Sequence, residues 1–220
     1  MSLKPATLTV VTHRRCGWRC VTVEQQCLCG SCRRIISSDE ASLMFLPNPF
    51  ATNTACSILL KPSSGGFHRY QIGDDLHIGI SDSESVVYSY WKNGIAAESS
   101  SWQDAISVYS FEAADFDFDE VLRTFIDHNI QYFPAEVSSF VCFLFIVVGY
   151  DANTWNCFDF IIVFMIFVGV IEKGGRSMKD QFVSRFVEAP LQRVVRYCKL
   201  VQRVYAAEGR QVPLPTVNIG

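Results

Sequence analysis

Two apolar runs constrain this chain more than any other feature. Residues 140–148 form a run of nine and residues 160–171 a run of twelve. A helix that crosses a bilayer needs roughly 20 consecutive apolar residues. The segment between the runs carries Asp151, Asn153, Asn156 and Asp159, so the two cannot merge into one span. Both are expected inside a packed core, with a peripheral membrane contact as the alternative. The 220 residues leave room for one large domain, or one domain with a small appendage. Seventeen phenylalanines point to an aromatic core. The net charge of −3 gives no reason to expect a nucleic acid as partner.

Local signals order the rest of the chain. Residues 56–60 read as a strand between loop signals at Pro47-Asn48-Pro49 and Pro62-Ser63-Ser64-Gly65-Gly66. Residues 76–80 and 86–90 read as a hairpin turned at Asp82-Ser83-Glu84-Ser85, and Asn93-Gly94 marks a second turn. A further strand centres on Ile106-Ser107-Val108. Phe118, Val121, Leu122 and Phe125 have helical spacing, with Asp117 or Asp119 as cap. Residues 156–171 are apolar almost all round and read as a buried helix, with a strand as the alternative. A short helix fits residues 177–188. The last helix is predicted to start at Pro190 and end at Gly209, leaving residues 211–220 loose.

Cys157 stands where polarity gives way to the second apolar run. A thiol near a helix start meets unpaired N–H groups that favour the thiolate and can stabilise an oxyanion. A nucleophilic cysteine also needs a base, and His77, on an otherwise small and apolar strand, is the best candidate. Inert packing for the cysteine and a hydrogen-bonded structural role for the histidine are the plainer alternative. Asn156, Tyr88 and Tyr90 are the candidate orienting or oxyanion-binding residues; Tyr88, Ser89 or Tyr90 is expected across the hairpin from His77.

The order of the two residues carries a resemblance. D-L-H-I-G-I-S-D comes first and N-C-F-D-F follows about 80 residues later. This resembles the circularly permuted papain-like proteins, which include the permuted deubiquitinase/desumoylase peptidases and the lecithin retinol acyltransferase group. The resemblance implies Cys157 as nucleophile and His77 as base. The acyltransferases carry a second histidine shortly after the first, and residues 86–90 hold none. Cys29-Gly30-Ser31-Cys32, the P-N-P-F and S-I-L-L-K-P-S-S-G-G-F stretches and the closing L-Q-R-V-V-R-Y-C-K-L helix are similar to the makorin-2 opposite strand protein family. That resemblance implies a fold and no established activity.

Cys16, Cys20, Cys27, Cys29 and Cys32 crowd the N-terminal region, with His13 just upstream. Cys29-x₂-Cys32 is half of a zinc knuckle. Cys16 with Cys20 is taken as the other half, giving Cys16, Cys20, Cys29 and Cys32 as ligands of a structural zinc; His13 with Cys16 is the alternative pair. The first fifteen residues lack an apolar stretch long enough for a secretory signal, so an intracellular location, cytoplasmic or nuclear, is expected. The expected fold is α+β, a circularly permuted papain-like core with an antiparallel sheet and a cysteine-bearing helix. Its divisions are a cysteine-rich head at 1–35, the main domain at 36–208 and a flexible tail at 209–220. Two functions follow: a thiol-dependent hydrolase or acyl/peptidyl transferase acting on a peptide or acyl substrate, or a non-catalytic interaction protein with a protein partner.

Overall fold

A computed structural model describes residues 7–24, 26–50, 54–111, 115–135, 149–175 and 177–215. The fold is α+β, with two antiparallel sheets, and the chain divides into two units. Unit 1 comprises Met1–Pro49 and Arg193–Gly220; unit 2 comprises Phe50–Gln192. The division expected at residue 35 therefore moves, because a strand beyond it belongs to the first sheet. The apolar run at residues 140–148 lies outside the described residues. No helix among those described is long and apolar enough to cross a membrane.

In unit 1, β1 (Thr9–His13), β2 (Arg19–Thr22), β3 (Ala41–Phe45) and β9 (Gln211–Pro213) form a sheet in the order β3-β1-β2-β9. The strand β9 corrects the expectation of a loose tail. Val212 pairs with Val21 and is buried, which ties this stretch to β2.

In unit 2, β4 (Ser57–Pro62), β5 (Leu76–Ser81), β6 (Val87–Trp91), β7 (Gly94–Glu98) and β8 (Ile106–Ser110) form a sheet in the order β7-β6-β5-β4-β8. Asp82 shapes the β5–β6 turn by accepting the N–H groups of Glu84 and Val86. Gly94, at φ 87°, turns the chain into β7. The helix α1 (Phe118–Asn129) starts on the Asp117 cap, whose side chain accepts the Glu120 N–H. The helix α2 (Cys157–Phe167) lies against β5 and β6. Phe164 meets Phe111, Phe118 and Phe125, and Phe160 meets Phe125 and Phe133, with ring centroids 5.1–6.1 Å apart. The expected aromatic core is thus built around the second apolar run.

The end of the helical region departs from expectation. The helix does not begin at Pro190. It runs through α3 (Met178–Phe182), a π-helical stretch Val183–Val187 and α4 (Glu188–Ala206). Proline offers no N–H to the preceding turn, and its ring crowds the carbonyl four residues back. The wider π turn just upstream, in which the Glu188 N–H reaches the Val183 carbonyl, accommodates it.

Candidate functional site

Two loops of unit 1 are built alike. In the β1–β2 turn, the His13 N–H donates to the Trp18 carbonyl and the Gly17 N–H to the His13 carbonyl, both at 2.8 Å. In the second loop, the Cys29 N–H donates to the Arg34 carbonyl at 2.8 Å and the Arg33 N–H to the Cys29 carbonyl at 2.9 Å. Each loop has a ligand-x₂-ligand sequence followed by a left-handed residue, Gly17 at φ 67° and Arg33 at φ 60°. The Cys32 N–H also points at the Cys29 sulfur, 3.5 Å away. Such N–H groups offset thiolate charge. Trp18 packs on the second loop so closely that a Cβ at Gly30 would lie 2.7 Å from its indole nitrogen.

The loops bring His13, Cys16, Cys29 and Cys32 together, with all four ligand atoms within 4.8 Å of one another. Cys16 Sγ is 2.9 Å from His13 Nδ1 and 3.3 Å from Cys29 Sγ, and Cys32 Sγ is 3.7 Å from His13 Nδ1. Tetrahedral zinc with bonds of about 2.3 Å to sulfur and 2.0 Å to nitrogen separates its ligand atoms by roughly 3.5–3.8 Å. The donor set fits a zinc ion, and the distances between ligand atoms, from 2.9 to at most 4.8 Å, bracket the tetrahedral value. The far side of the histidine fits as well. His13 is 1% exposed, and its Nε2 lies 3.7 Å from Glu40 Oε2 with no hydrogen bond. Arg15 holds Glu40 from outside at 3.0 Å. A carboxylate behind a ligating imidazole fixes its tautomer and ring orientation.

This set differs from the expected one at one position. Cys16, Cys29 and Cys32 meet, and His13 takes the place assigned to Cys20. Cys20 lies inside β2, fully buried, beside Cys27. Their mutual hydrogen bond, with burial, pushes the Cys20 thiol up; the same bond holds Cys27 down against its own burial. The alternative pair, His13 with Cys16, is the one that converges on Cys29 and Cys32, and the spacing that favours it is the twelve residues between Cys16 and Cys29, giving H-x₂-C-x₁₂-C-x₂-C.

Unit 2 holds the other candidate residues. Cys157 begins α2, and Asn156 is its cap. The Asn156 side chain accepts the Phe158 N–H at 2.9 Å and donates to the Ala152 carbonyl at 2.7 Å, so both ends of the amide are committed. Asp159 accepts the Asn156 N–H and pairs with Lys179. Cys157 is only 2% exposed. Burial pushes its thiol up to about 11, outweighing the N–H groups of Ile78, Cys157 and Phe158 that favour the thiolate.

His77 donates to or accepts from Ser89 Oγ through Nε2 at 3.1 Å. Its Nδ1 is buried with no hydrogen-bond partner. Neither ring nitrogen therefore bonds Cys157. Ile80 pairs with Tyr88 and Ser81 with Val87, so alternation groups His77 with Val87, Ser89 and Trp91 on one face of the sheet. The ring packs against Trp91 and Trp102 there. Tyr90 faces the other way, toward Phe133, which packs on Phe160 of α2. Burial, and then the Lys61 charge, lower His77 to about 4. Ser89, and neither Tyr88 nor Tyr90, is the residue across the hairpin that engages the ring. The Tyr90 hydroxyl donates to the Pro134 carbonyl. Tyr88 lines a separate cleft with Asp82, Asp119 and Arg123.

A family model described as DUF4796 C-terminal matches residues 43–204. The chain belongs to this DUF4796 C-terminal family. The matched span contains all of unit 2 and starts beyond the four converging ligands. The chain is also similar to the human MKRN2 opposite strand protein, with 26% identity over 171 residues, covering 74% of this chain and 70% of that protein. No solved structure matches it.

Proposed function

We propose that this chain is a non-catalytic interaction protein, with unit 1 organised by one structural zinc ion on His13, Cys16, Cys29 and Cys32. The observation that carries the non-catalytic reading is the His77 ring. One of its nitrogens is engaged by Ser89 and the other has no hydrogen-bond partner, so it is not poised to take a proton from Cys157. The two pKa shifts favour the same reading. A working dyad needs a depressed thiol and a basic imidazole, and both groups are moved the other way. Unit 2 is read as a permuted papain-like core that keeps the strand histidine and the helix-start cysteine without the reaction. In unit 1 the zinc replaces part of a core that is small, built from Val11, Cys20, Cys27, Cys29, Ile36 and Ala41.

One observation favours the thiol-hydrolase reading: three backbone N–H groups are directed to the Cys157 sulfur. The rate of Cys157 alkylation against pH separates the two. A slow reaction with an apparent pKa near 11, unchanged in His77→Ala, is the expected result. A fast reaction with a pKa below about 8.5, lost in His77→Ala, refutes the non-catalytic reading. Metal analysis of protein purified without added zinc is expected to give about one zinc per chain; folded, metal-free protein refutes the zinc assignment.

A further inference from the structure

The sheet of unit 1 has two edges, and they are built differently. At one end, β9 is three residues long and closes on Pro213, which has no N–H to offer a further strand. At the other end lies β3, Ala41-Ser42-Leu43-Met44-Phe45. It pairs with β1 over five residues without a register shift, so no bulge twists this edge away. No residue from Ala41 to Leu46 is charged or a proline. The edge thus has none of the features that keep a strand from pairing with another chain.

The register shows which backbone groups are open. The Leu46 N–H donates to the Leu8 carbonyl and the Arg14 N–H to the Glu40 carbonyl, both at 2.9 Å. In an antiparallel pair the bonded residues alternate, so Ser42 and Met44 also turn their backbone groups to β1. Ala41, Leu43 and Phe45 turn theirs to the open side. These groups form no hydrogen bond among the described residues. The side chains are open as well: Leu43 is 57% exposed, Met44 54% and Phe45 67%.

We propose that β3 is a homodimer interface, in which two copies pair edge to edge, antiparallel, about a two-fold axis at Leu43. This goes beyond the interaction reading of the chain and holds whether or not Cys157 reacts. The strand is complementary to itself. The register that pairs all five residues sets Leu43 against Leu43 of the second copy, Phe45 against the small Ala41, and Met44 against the small Ser42. Glu40 falls opposite Leu46, so no charge meets its like. Ala41, Leu43 and Phe45 become the bonded residues, which gives about six new backbone hydrogen bonds. The two four-stranded sheets become one. The two-fold axis uses up both open edges, so assembly stops at two copies. The three exposed side chains present roughly 350 Å² per copy, and with the paired backbone two copies bury about 1,000 Å². That is near the lower limit for a specific interface and corresponds to a weak dimer, half formed at roughly 10–100 µM.

Sedimentation velocity of the full chain across that range tests the proposal, with zinc content and melting curve recorded on the same samples. A reversible monomer–dimer equilibrium is expected, unchanged between about 50 and 500 mM salt because no charge takes part. Leu43→Lys sets two cations face to face on the axis. Leu43→Pro removes only the outward N–H and leaves the bonds to β1 in place. Each is expected to weaken the dimer about tenfold or more, with parental zinc content and melting. Hydrogen exchange at Leu43 and Phe45 is expected to slow as the parent is concentrated. A parent that stays monomeric up to about 500 µM, or a dimer that both variants leave intact, overturns the proposal. So does a dimer that salt dissolves, which assigns association to opposite charges elsewhere on the molecule. Where a variant loses zinc or melts early, exchange in the parent decides: rates at Leu43 and Phe45 that ignore concentration overturn the proposal.

Discussion

Cys20 and His13 separate the metal site assigned from the fold and the one expected from cysteine spacing. A structural zinc site contributes about 10–16 kcal/mol of binding free energy at neutral pH. An even share of that among four ligands is about 2.5–4 kcal/mol, so removing one ligand weakens binding by roughly 10²–10³-fold. His13→Ala and Cys32→Ser both remove an atom of the converging set and should lose that much. Cys20→Ser should not. Its side chain is buried in β2 beside Cys27, so the change puts a hydroxyl in place of a thiol within a small core. The expected effect is on stability, about 1–3 kcal/mol for a buried polar atom with an imperfect partner, with zinc affinity within about threefold of the parent. Competition against a chromophoric chelator measures affinity, and thermal melting of the zinc-loaded protein measures stability. The assignment fails if Cys20→Ser loses zinc as Cys32→Ser does while His13→Ala retains it.

Two further predictions concern the groups behind these side chains. Glu40→Gln removes the charge facing His13 Nε2 and should lower zinc affinity about 10–100-fold without changing stoichiometry, read by the same competition. His77 is neutral in the folded protein down to about pH 4, whereas in the unfolded chain it takes up a proton near 6.5. The unfolded state thus binds more protons between those values. The contribution is fully present above pH 6.5 and is lost as the pH falls toward 4, by about 3 kcal/mol in all. Denaturant unfolding from pH 7 to pH 4 should show that loss flattened by about this amount in His77→Gln; parallel curves for the two proteins would refute it.

The sequence was readable where structure is set locally. The Asp117 cap, the Asp82 turn and the start of α2 at Asn156-Cys157 each rest on side chains bonding backbone within a few residues. It failed where pairing is distant or exposure breaks the pattern. β3 shows no alternation because four of its five residues face solvent. β9 is only three residues long and exists through pairing with β2, far back in the chain. Pro190 reads as a helix start because the π turn that admits it has no local sequence signature. In the metal site, the chain-adjacent pair Cys16 and Cys20 was favoured. The hairpin instead turns Cys16 to the tip and leaves Cys20 within the strand, paired with Pro213. Ser89 was one of three residues expected across the hairpin from His77, and period-two alternation from the Asp82 turn, which groups residues 77 and 89, singles it out.

Cys157 shows why a correct local reading can carry the wrong sign for chemistry. The helix start was placed correctly, and its N–H groups do act to lower the thiol. Burial acts in the opposite direction and wins, and burial is set by tertiary neighbours. Tyr150 is the one to test: it is raised to about 12, by burial and then by the nearby Cys157, and its ring packs on Tyr90 and Trp91. Tyr150→Ala removes that ring and admits water toward the sulfur. If water access brings the thiol from about 11 back to its ordinary value of 9.0, the thiolate fraction near pH 8 rises about 100-fold. Alkylation at that pH should accelerate to a similar degree, with His77→Ala adding nothing. An unchanged rate would mean that something other than burial beside Tyr150 silences the thiol.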